Sequence, residues 1–261
     1  MKIATYNVWN EKSNLSVRSE KLIQEIIKID ADIIGLQEVT EIFWEELLEH
    51  VDYEYHIFMK IQGRIDGLAF LSKYPFESSF FLHDNAEFHN SFALNVTLKE
   101  KEFNFSVINV HLPWDSIIAR ENQTLAINEY TNRQKEQFDY FILLGDFNCT
   151  LRSSVHNFLI GEQSLSGSEA NPRYDDLASV HAVLNGYAVA PTLDFATNPR
   201  WKNNNTKFEP WVVDRILFAD NAKYGDYYIK KVSIFGTDIS PETGLAPSDH
   251  YGVLAEMDFT N

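Results

Sequence analysis

Residues 2–39 have the sequence KIATYNVWNEKSNLSVRSEKLIQEIIKIDADIIGLQEV, in which two short apolar runs flank one helical pattern. The runs, residues 2–9 and 32–37, have the length of strands. Residues 17–29 place apolar side chains such as Leu22 and Ile26 at the i, i+4 spacing of an amphipathic helix. Two strands joined by one helix over so short a span are typical of a parallel crossover. This stretch therefore predicts an α/β fold.

Strand-like and helix-like patterns keep alternating to the end of the chain, which again favours an α/β architecture. The sequence contains no internal repeat, low-complexity tract or linker-like change of composition, so we predict one domain over residues 1–261. The further predicted strands are residues 53–59, 67–72, 91–98, 102–110, 141–145, 212–219, 227–235 and 250–259. The further predicted helices are residues 41–49, 115–137, 153–160 and 174–184.

The composition is that of an average globular protein, with 44% hydrophobic and 23% charged residues, and it excludes extensive disorder. The single cysteine, Cys149, excludes an internal disulfide and any multi-cysteine metal site. No apolar run approaches the ~20 residues of a membrane-spanning helix, and the first residues resemble a strand rather than a signal peptide. We expect a cytoplasmic monomer.

The chain is strongly acidic, with 22 Lys and Arg against 38 Asp and Glu and a net charge of −16. Such a field repels nucleic acids and anionic membranes at long range, so we do not expect tight nonspecific binding of polyanions. A substrate that carries phosphate is not excluded, because a divalent cation held by carboxylates reverses the local sign. The alternative is that the charge only keeps the surface soluble.

Polar side chains stand at the ends of successive predicted strands, where layered α/β folds assemble their sites. Asp146 and Asn148 share one face of a regular strand, whereas the adjacent Asp249 and His250 reach one site only in a turn, which Pro247 favours. The complete set of strand-end residues is Asn7, Glu38, His111, Asp146, Asn148, Asp214, Asp249 and His250.

Each of these residues also has a purely structural interpretation. Asn7 is a common turn former, Glu38 suits the start of a helix, Gly145-Asp146 is a frequent turn pair, and Asp214 with Arg215 resembles a surface ion pair. Coincidence explains one such residue easily, but not the whole ordered series. The series therefore predicts one polar site at the strand ends.

Six segments carry a resemblance to a known family, namely TYN, LQEV, NVHL, GDFN, VDRILF and SDHYG, in this order. Together they resemble the endonuclease/exonuclease/phosphatase superfamily, which includes DNase I, neutral sphingomyelinases and inositol-polyphosphate phosphatases. The motifs are most similar to those of the 5′-tyrosyl-DNA phosphodiesterase branch, although Leu193 stands where that branch usually has an aromatic residue. The resemblance implies a DNase I-like four-layer sandwich, with two mixed β-sheets flanked by helices and the site at one edge.

The resemblance also implies a role for each strand-end residue and leaves the general base open between Asp146 and His250. Mg²⁺, with Mn²⁺ as the second choice, is the implied cofactor, which agrees with its preference for oxygen ligands. The implied metal ligands are Glu38, with Asn7 beside it, and Asp249, which contacts the metal or orients the neighbouring His250. Asp146 and Asn148 position the attacking water and the phosphate, Asp214 supports His250 as a dyad, and His111 contacts the phosphate or assists the leaving group.

Residues 198–211 mix basic and aromatic side chains, which suits a nucleic-acid end or a lipid head group. We take Arg200 and Trp201 as candidate substrate contacts, with Lys202, Lys207 and Phe208 nearby. Arg152 loosely matches an arginine that follows the GDxN motif in the 5′-tyrosyl-DNA phosphodiesterases. The alternative is a solvated surface loop with partly buried tryptophans.

The sequence thus predicts a Mg²⁺-dependent hydrolase of phosphoester bonds, a phosphodiesterase or nuclease in which an activated water attacks DNA ends or small phosphodiesters. Phosphate esters resist attack because nucleophile and phosphate are both electron-rich, so charge neutralisation and an aimed water are needed. Two alternatives remain: a lipid or inositol-phosphate phosphatase or sphingomyelinase-like phosphodiesterase, and a non-catalytic phosphate-binding module. No Gly-rich phosphate loop, GxSxG or HExxH motif is present, which excludes kinases, serine hydrolases and zinc proteases.

Overall fold

The computed structural model describes residues 1–12, 15–81, 91–98, 103–201, 209–220 and 227–259. No helix within these ranges has the length and apolar character needed to cross a membrane. The helices are α1 (Leu15–Ile29), α2 (Glu41–Leu48), α3 (Ile117–Gln134), α4 (Ser154–Leu159) and α5 (Leu177–Asn185). The strands are β1 (Lys2–Asn7), β2 (Ile33–Thr40), β3 (Tyr55–Lys60), β4 (Asp66–Ser72), β5 (Phe76–Phe81), β6 (Ser91–Leu98), β7 (Phe103–His111), β8 (Tyr140–Asp146), β9 (Asp175–Asp176), β10 (Asp214–Asp220), β11 (Tyr227–Phe235) and β12 (Gly252–Phe259).

The strands form two six-stranded mixed sheets. The first has the order β11-β12-β1-β2-β4-β3, and the second has the order β5-β6-β7-β8-β10-β9. Within each sheet one central pair is parallel, β1 with β2 and β7 with β8, whereas the other described pairs are antiparallel. The predicted crossover from β1 through α1 to β2 is confirmed.

Strand β8 shows why the two sheets pack face to face beneath helices. Its residues alternate between two apolar clusters: Tyr140, Ile142 and Leu144 lie between the sheets, whereas Phe141 and Leu143 pack beneath α3 and α4. A third cluster joins α1 and α2 to the outer face of the first sheet. A strand that is apolar on both faces must be covered on both faces, and each such side chain contributes roughly 1.5–3 kcal/mol on burial. The predicted four-layer sandwich is confirmed.

A few predicted boundaries differ from the structure. Strands β5 and β9 were not predicted, and β12 begins at Gly252 rather than at residue 250. Residues 247–250 form consecutive bends, so His250 lies in a turn and β12 begins after it. This agrees with the prediction that the adjacent Asp249 and His250 reach one site only in a turn. The predicted hairpin turn at residues 99–101 lies outside the described residues.

Asn109 connects the two sheets by hydrogen bonds. From β7 its Nδ2 donates to the carbonyl oxygens of Leu36 (3.0 Å) and Ala69 (3.1 Å) in the opposite sheet. Its Oδ1 accepts from Nε2 of Gln37 at 2.7 Å. Gly35 allows the two sheets to approach this closely, because a Cβ there would lie 2.2 Å from Cδ1 of Leu144 and 3.2 Å from Cγ of Asn109. All these groups are buried, so each depends on its partner.

We expect Asn109→Ala to lower the free energy of unfolding by about 3 kcal/mol, because it leaves several buried polar groups without a partner. Urea denaturation with circular dichroism measures this change. Asn185→Ala removes a hydrogen bond at an exposed helix end and is the matched control, with an expected loss under about 1 kcal/mol. Equal losses in the two variants would contradict the proposed connection between the sheets.

Candidate active site

One edge of the sandwich collects the ends of the central strands from both sheets. Parallel pairing places the carboxyl ends of β1 and β2 together, and likewise those of β7 and β8. The antiparallel neighbours contribute their amino-terminal ends at the same edge, since Asp214 of β10 pairs with Asp146 of β8. The predicted residues from both sheets therefore meet at this edge.

Asn7 holds two of the predicted carboxylates side by side. Its Nδ2 donates to Oε1 of Glu38 at 3.1 Å and to Oδ2 of Asp146 at 3.0 Å. The second oxygen of Glu38, Oε2, accepts from the backbone N–H of Asn10 at 3.1 Å. Oδ1 of Asn7 accepts from the backbone N–H of Trp9, so a ligand role for Asn7 would use the second lone pair of that oxygen.

A β-bulge directs Glu38 into the site. The register between β2 and β4 shifts between Leu36 and Val39, and Glu38 adopts a positive φ of 58°. In a regular strand Gln37 and Glu38 would point to opposite faces, but a bulge redirects the side chain of the extra residue. Trp9 (φ 60°) and Asn148 (φ 49°) adopt positive φ nearby. Such strained residues cluster at functional sites.

His250 and Asp214 form the predicted dyad. Nδ1 of His250 lies 2.9 Å from Oδ2 of Asp214, and both side chains are buried. The remaining ring nitrogen, Nε2, lies 3.9 Å from Oδ2 of Asp146. A carboxylate at Nδ1 fixes the orientation of the imidazole and leaves Nε2 facing the site.

His111 faces the pair of carboxylates from the second sheet. Its Nε2 lies 3.7 Å from Oε1 of Glu38 and 3.7 Å from Oδ2 of Asp146. Gly145 allows β8 to lie this close to β7, since a Cβ at residue 145 would lie 2.0 Å from the carbonyl oxygen of Val110. The φ of Gly145, 136°, is also unfavourable for other residues.

Asn148 holds the loop after β8 in place. Its backbone N–H donates to Oδ1 of Asp146 at 2.8 Å, and its Nδ2 donates to the carbonyl oxygen of Leu112 at 2.9 Å. Because Asn148 lies beyond the end of β8 with a positive φ, the alternation of a regular strand does not describe its position. The hydrogen bonds nevertheless keep it beside Asp146.

The turn before β12 is anchored by residues whose roles the sequence did not reveal. Oγ of Ser248 donates to the carbonyl oxygen of Asn7 at 2.7 Å and accepts from the N–H of His250 at 3.2 Å. Nδ2 of Asn198 donates to the carbonyl oxygen of Ser248 at 3.0 Å. The only sequence signal was the position of Ser248 in the SDHYG segment. These contacts connect the turn directly to β1.

Burial and crowding of acids shift the pKa values of the site. Burial raises the pKa of Asp249 to about 6; His250 opposes this increase, whereas Glu38 and Asp146 add to it. Burial likewise raises the pKa of Asp146. Burial alone would lower the pKa of His250, but the neighbouring Asp214 and Asp146 raise it well above its ordinary value. The site thus concentrates negative charge in a buried position.

This donor set suits a hard divalent cation. Ligand atoms of Asp146, Asp214 and His250 lie within 4.8 Å of one another, and Asn7 brings Glu38 next to Asp146. Oδ1 of Asp214 is buried and has no hydrogen-bond partner among the described residues. Clustered carboxylate and amide oxygens fit Mg²⁺, and a cation would stabilise the charged form of the carboxylates whose pKa values burial raises.

The residues predicted to contact the substrate form hydrogen bonds or ion pairs with other residues of the protein. Nε1 of Trp201 donates to the carbonyl oxygen of Asp249 at 2.9 Å, and Nε of Arg200 donates to that of Ala246 at 2.7 Å. Both residues therefore support the turn before β12. Arg152 is exposed and forms an ion pair with Glu209. Their contacts with substrate remain predictions. Lys202, Lys207 and Phe208 lie outside the described residues.

Comparisons with known proteins agree with this architecture. The model of the Endonuclease/Exonuclease/phosphatase family matches residues 4–250. A functionally unknown conserved protein from Enterococcus faecalis is 21% identical, with a TM-score of 0.74 and complete coverage of both chains. TDP2 from D. rerio, complexed with a single-strand DNA product, is 17% identical, with a TM-score of 0.75 over 99% of this chain and 98% of that chain. A mannosyl-6-phosphatase from Bacteroides thetaiotaomicron is 18% identical, with a TM-score of 0.73 over 99% and 100%. No curated protein matches the sequence.

Proposed function

Because this chain belongs to the endonuclease/exonuclease/phosphatase family, whose members hydrolyse phosphoesters, we propose that it is a Mg²⁺-dependent phosphodiesterase. Its substrates are small phosphodiesters or nucleic-acid ends. The observation that carries the proposal is the hydrogen-bonded series Glu38–Asn7–Asp146 with the His250–Asp214 dyad beside it. This arrangement combines oxygen ligands for a cation with an oriented imidazole in one cleft. The predicted cytoplasmic location and monomeric state stay predictions.

Glu38 is the principal ligand in this proposal, with Asn7 and Asp249 beside it. Both oxygens of Glu38 are held by N–H donors, so the carboxylate is preorganised and loses little freedom when it binds a cation. A bound divalent cation supplies charge neutralisation at the phosphoryl group and at the leaving oxygen. Burial raises the pKa of Asp249 and Asp146, and neighbouring acids add to this increase, which a bound cation would oppose.

The remaining residues handle the water and the phosphoryl group. Asp146 and Asn148 orient the attacking water, and either Asp146 or His250 accepts its proton. Asp214 keeps the imidazole of His250 in position through the 2.9 Å contact at Nδ1. His111 faces the same carboxylates with Nε2 and donates to a phosphoryl oxygen or to the leaving group.

The net charge of the protein bears on the size and class of its substrate. A net charge of −16 disfavours long duplex DNA, whose binding depends on basic surface, and favours a small or end-restricted substrate. Phosphomonoester hydrolysis is the second candidate, because the similar fold of a mannosyl-6-phosphatase shows that this architecture supports it.

We expect bis-p-nitrophenyl phosphate to be hydrolysed in Mg²⁺, and we expect EDTA to lower the rate at least ~10²-fold because the cation neutralises the phosphoryl charge. The experiment compares this diester with p-nitrophenyl phosphate, sphingomyelin, an inositol phosphate and a DNA oligonucleotide. Readdition of Mg²⁺ or Mn²⁺ is the control for damage by EDTA.

Each other outcome points to a different function. Turnover of the monoester alone would favour the phosphatase, and turnover of sphingomyelin or the inositol phosphate without DNA cleavage would favour a lipid-directed enzyme. The absence of EDTA-sensitive turnover on every phosphoester would contradict the proposal and favour a non-catalytic phosphate-binding module.

A further inference from the structure

An apolar pocket of about 260 Å³ opens next to Glu38. Its lining includes Val8, Leu22 and Phe43, each of which is almost completely buried, and most of the exposed lining is apolar. The polar and charged residues that also line it, apart from Glu38, are Asn10, Lys12, Arg18, Thr40 and Glu41. Glu38 is one of the residues that line this pocket, so the pocket adjoins the proposed cation site. A cavity of about 150 Å³ lined by apolar side chains accommodates benzene. The pocket therefore has room for a six-membered ring with a substituent.

Two isoleucines at the pocket remain exposed to solvent. The side chain of Ile42, in the first turn of α2, is 65% exposed, and that of Ile65, just before β4, is 57% exposed. A single exposed isoleucine needs no explanation, but exposed apolar residues that cluster at a cleft mark binding sites. A ligand in the pocket would cover both side chains and gain from their removal from water.

The indole of Trp9 forms a rigid wall of the pocket. Two guanidinium groups lie over its ring, with Cζ of Arg18 at 4.9 Å and Cζ of Arg200 at 4.8 Å from the ring centroid. The backbone of Trp9 is held in a positive φ of 60° by a hydrogen bond from its N–H to Oδ1 of Asn7. A bulky residue adopts this conformation only where its surroundings require it.

Arg18 makes this wall rigid. Its Nη1 donates to the carbonyl oxygens of Val8 and Pro247, and its Nη2 donates to those of Trp9 and Glu11. The guanidinium is almost completely buried. The pocket is thus preformed, and a ligand need not order its walls on binding.

We infer that this pocket binds an apolar organic group, about the size of one ring, that is attached to the phosphoryl group held at Glu38. The inference rests on the proposed function, because it assumes that Glu38 lies at the phosphoryl site. It adds a specificity determinant: Ile42, Ile65 and Trp9 select substrates by an apolar substituent rather than by a second charge. The strongly negative net charge of the chain agrees with such a choice.

Phenylphosphonate and methylphosphonate test this inference, because each carries one substituent on phosphorus and neither is hydrolysed. Isothermal titration calorimetry in Mg²⁺ measures the affinity of each. We expect the wild-type protein to bind phenylphosphonate at least about tenfold more tightly. The double variant Ile42→Ser/Ile65→Ser reduces this preference to about threefold or less, because the ring then loses its apolar contacts at the mouth.

Val183→Ser is the matched control, since Val183 is an 81% exposed apolar residue on α5, away from the pocket; it keeps the full preference. Equal affinities for the two phosphonates, absence of measurable binding of phenylphosphonate, or an unchanged preference in the double variant would overturn the inference. Metal-dependent turnover together with equal affinities would contradict the pocket alone. A phenyl preference without turnover of any phosphoester would contradict the proposed function instead.

Discussion

Substitution of Glu38 by alanine is expected to lower the Mg²⁺-dependent hydrolysis of bis-p-nitrophenyl phosphate by about 10³-fold or more. The carboxylate is held at both oxygens, by Asn7 and by the backbone of Asn10, and alanine removes the charge that would hold the cation. Charge stabilisation by a metal contributes several kcal/mol at the transition state, and each 1.36 kcal/mol is a factor of ten in rate. The measurement is kcat/KM over a titration of Mg²⁺.

Two comparisons make this result specific. Glu45→Ala removes a carboxylate from the exposed side of α2 and is expected to leave kcat/KM unchanged. Binding of Mn²⁺, followed by electron paramagnetic resonance, should weaken in Glu38→Ala but not in Glu45→Ala. Wild-type turnover in a folded Glu38→Ala protein would refute the assignment of Glu38 as the principal ligand.

Replacement of His250 by alanine is expected to lower kcat by about 10²–10⁴-fold, the range for loss of one proton-transfer group. His250, in the turn before β12, is oriented by Asp214 and presents Nε2 toward Asp146. Steady-state kinetics at saturating Mg²⁺ measures the effect. The proposal gives His250 the role of a base and not that of a ligand, so binding of Mn²⁺ should remain close to that of the wild type. A large loss of Mn²⁺ binding would instead assign the ion to the group of Asp146, Asp214 and His250.

Asp214→Asn is the companion variant, since it removes the charge that orients the imidazole but keeps the volume of the side chain. We expect it to lower kcat in the same direction as His250→Ala, and the two losses should not add in the double variant, because the residues act as one unit. His50→Ala is the control, as His50 is an exposed histidine at the end of α2. Additive losses, or full activity in His250→Ala, would contradict the dyad.

Local patterns in the sequence were sufficient to predict the layers of the fold. The apolar runs at β1, β2 and β8 and the helical spacing of α1 are patterns of apolar and polar residues that are close together in the chain. A window of about ten residues is enough to detect each of them. Strand β5 was missed, and it is an edge strand of its sheet. The two-residue strand β9 is too short to leave a pattern at all.

The identities of the site residues were also readable, because charged and amide side chains are conspicuous at the ends of apolar strands. Their convergence is now seen in the hydrogen bonds of Asn7 and in the Asp214–Asp146 register. The roles of Glu38, Asp146 and His250 in catalysis stay predictions until the variants are measured.

Other features depended on contacts between distant parts of the chain. The bulge that turns Glu38 into the site, the link from Ser248 to β1, and the contacts of Trp9 with Arg18 and Arg200 leave no local pattern. A positive φ at Glu38 or Trp9 runs against the preference of the residue itself, so only the packing around it maintains that conformation. Periodicity in the chain specifies which residues are buried and where strands end. The direction of each candidate site side chain and the shape of the pocket follow from partners that lie as far apart in the chain as Asn7 and Ser248.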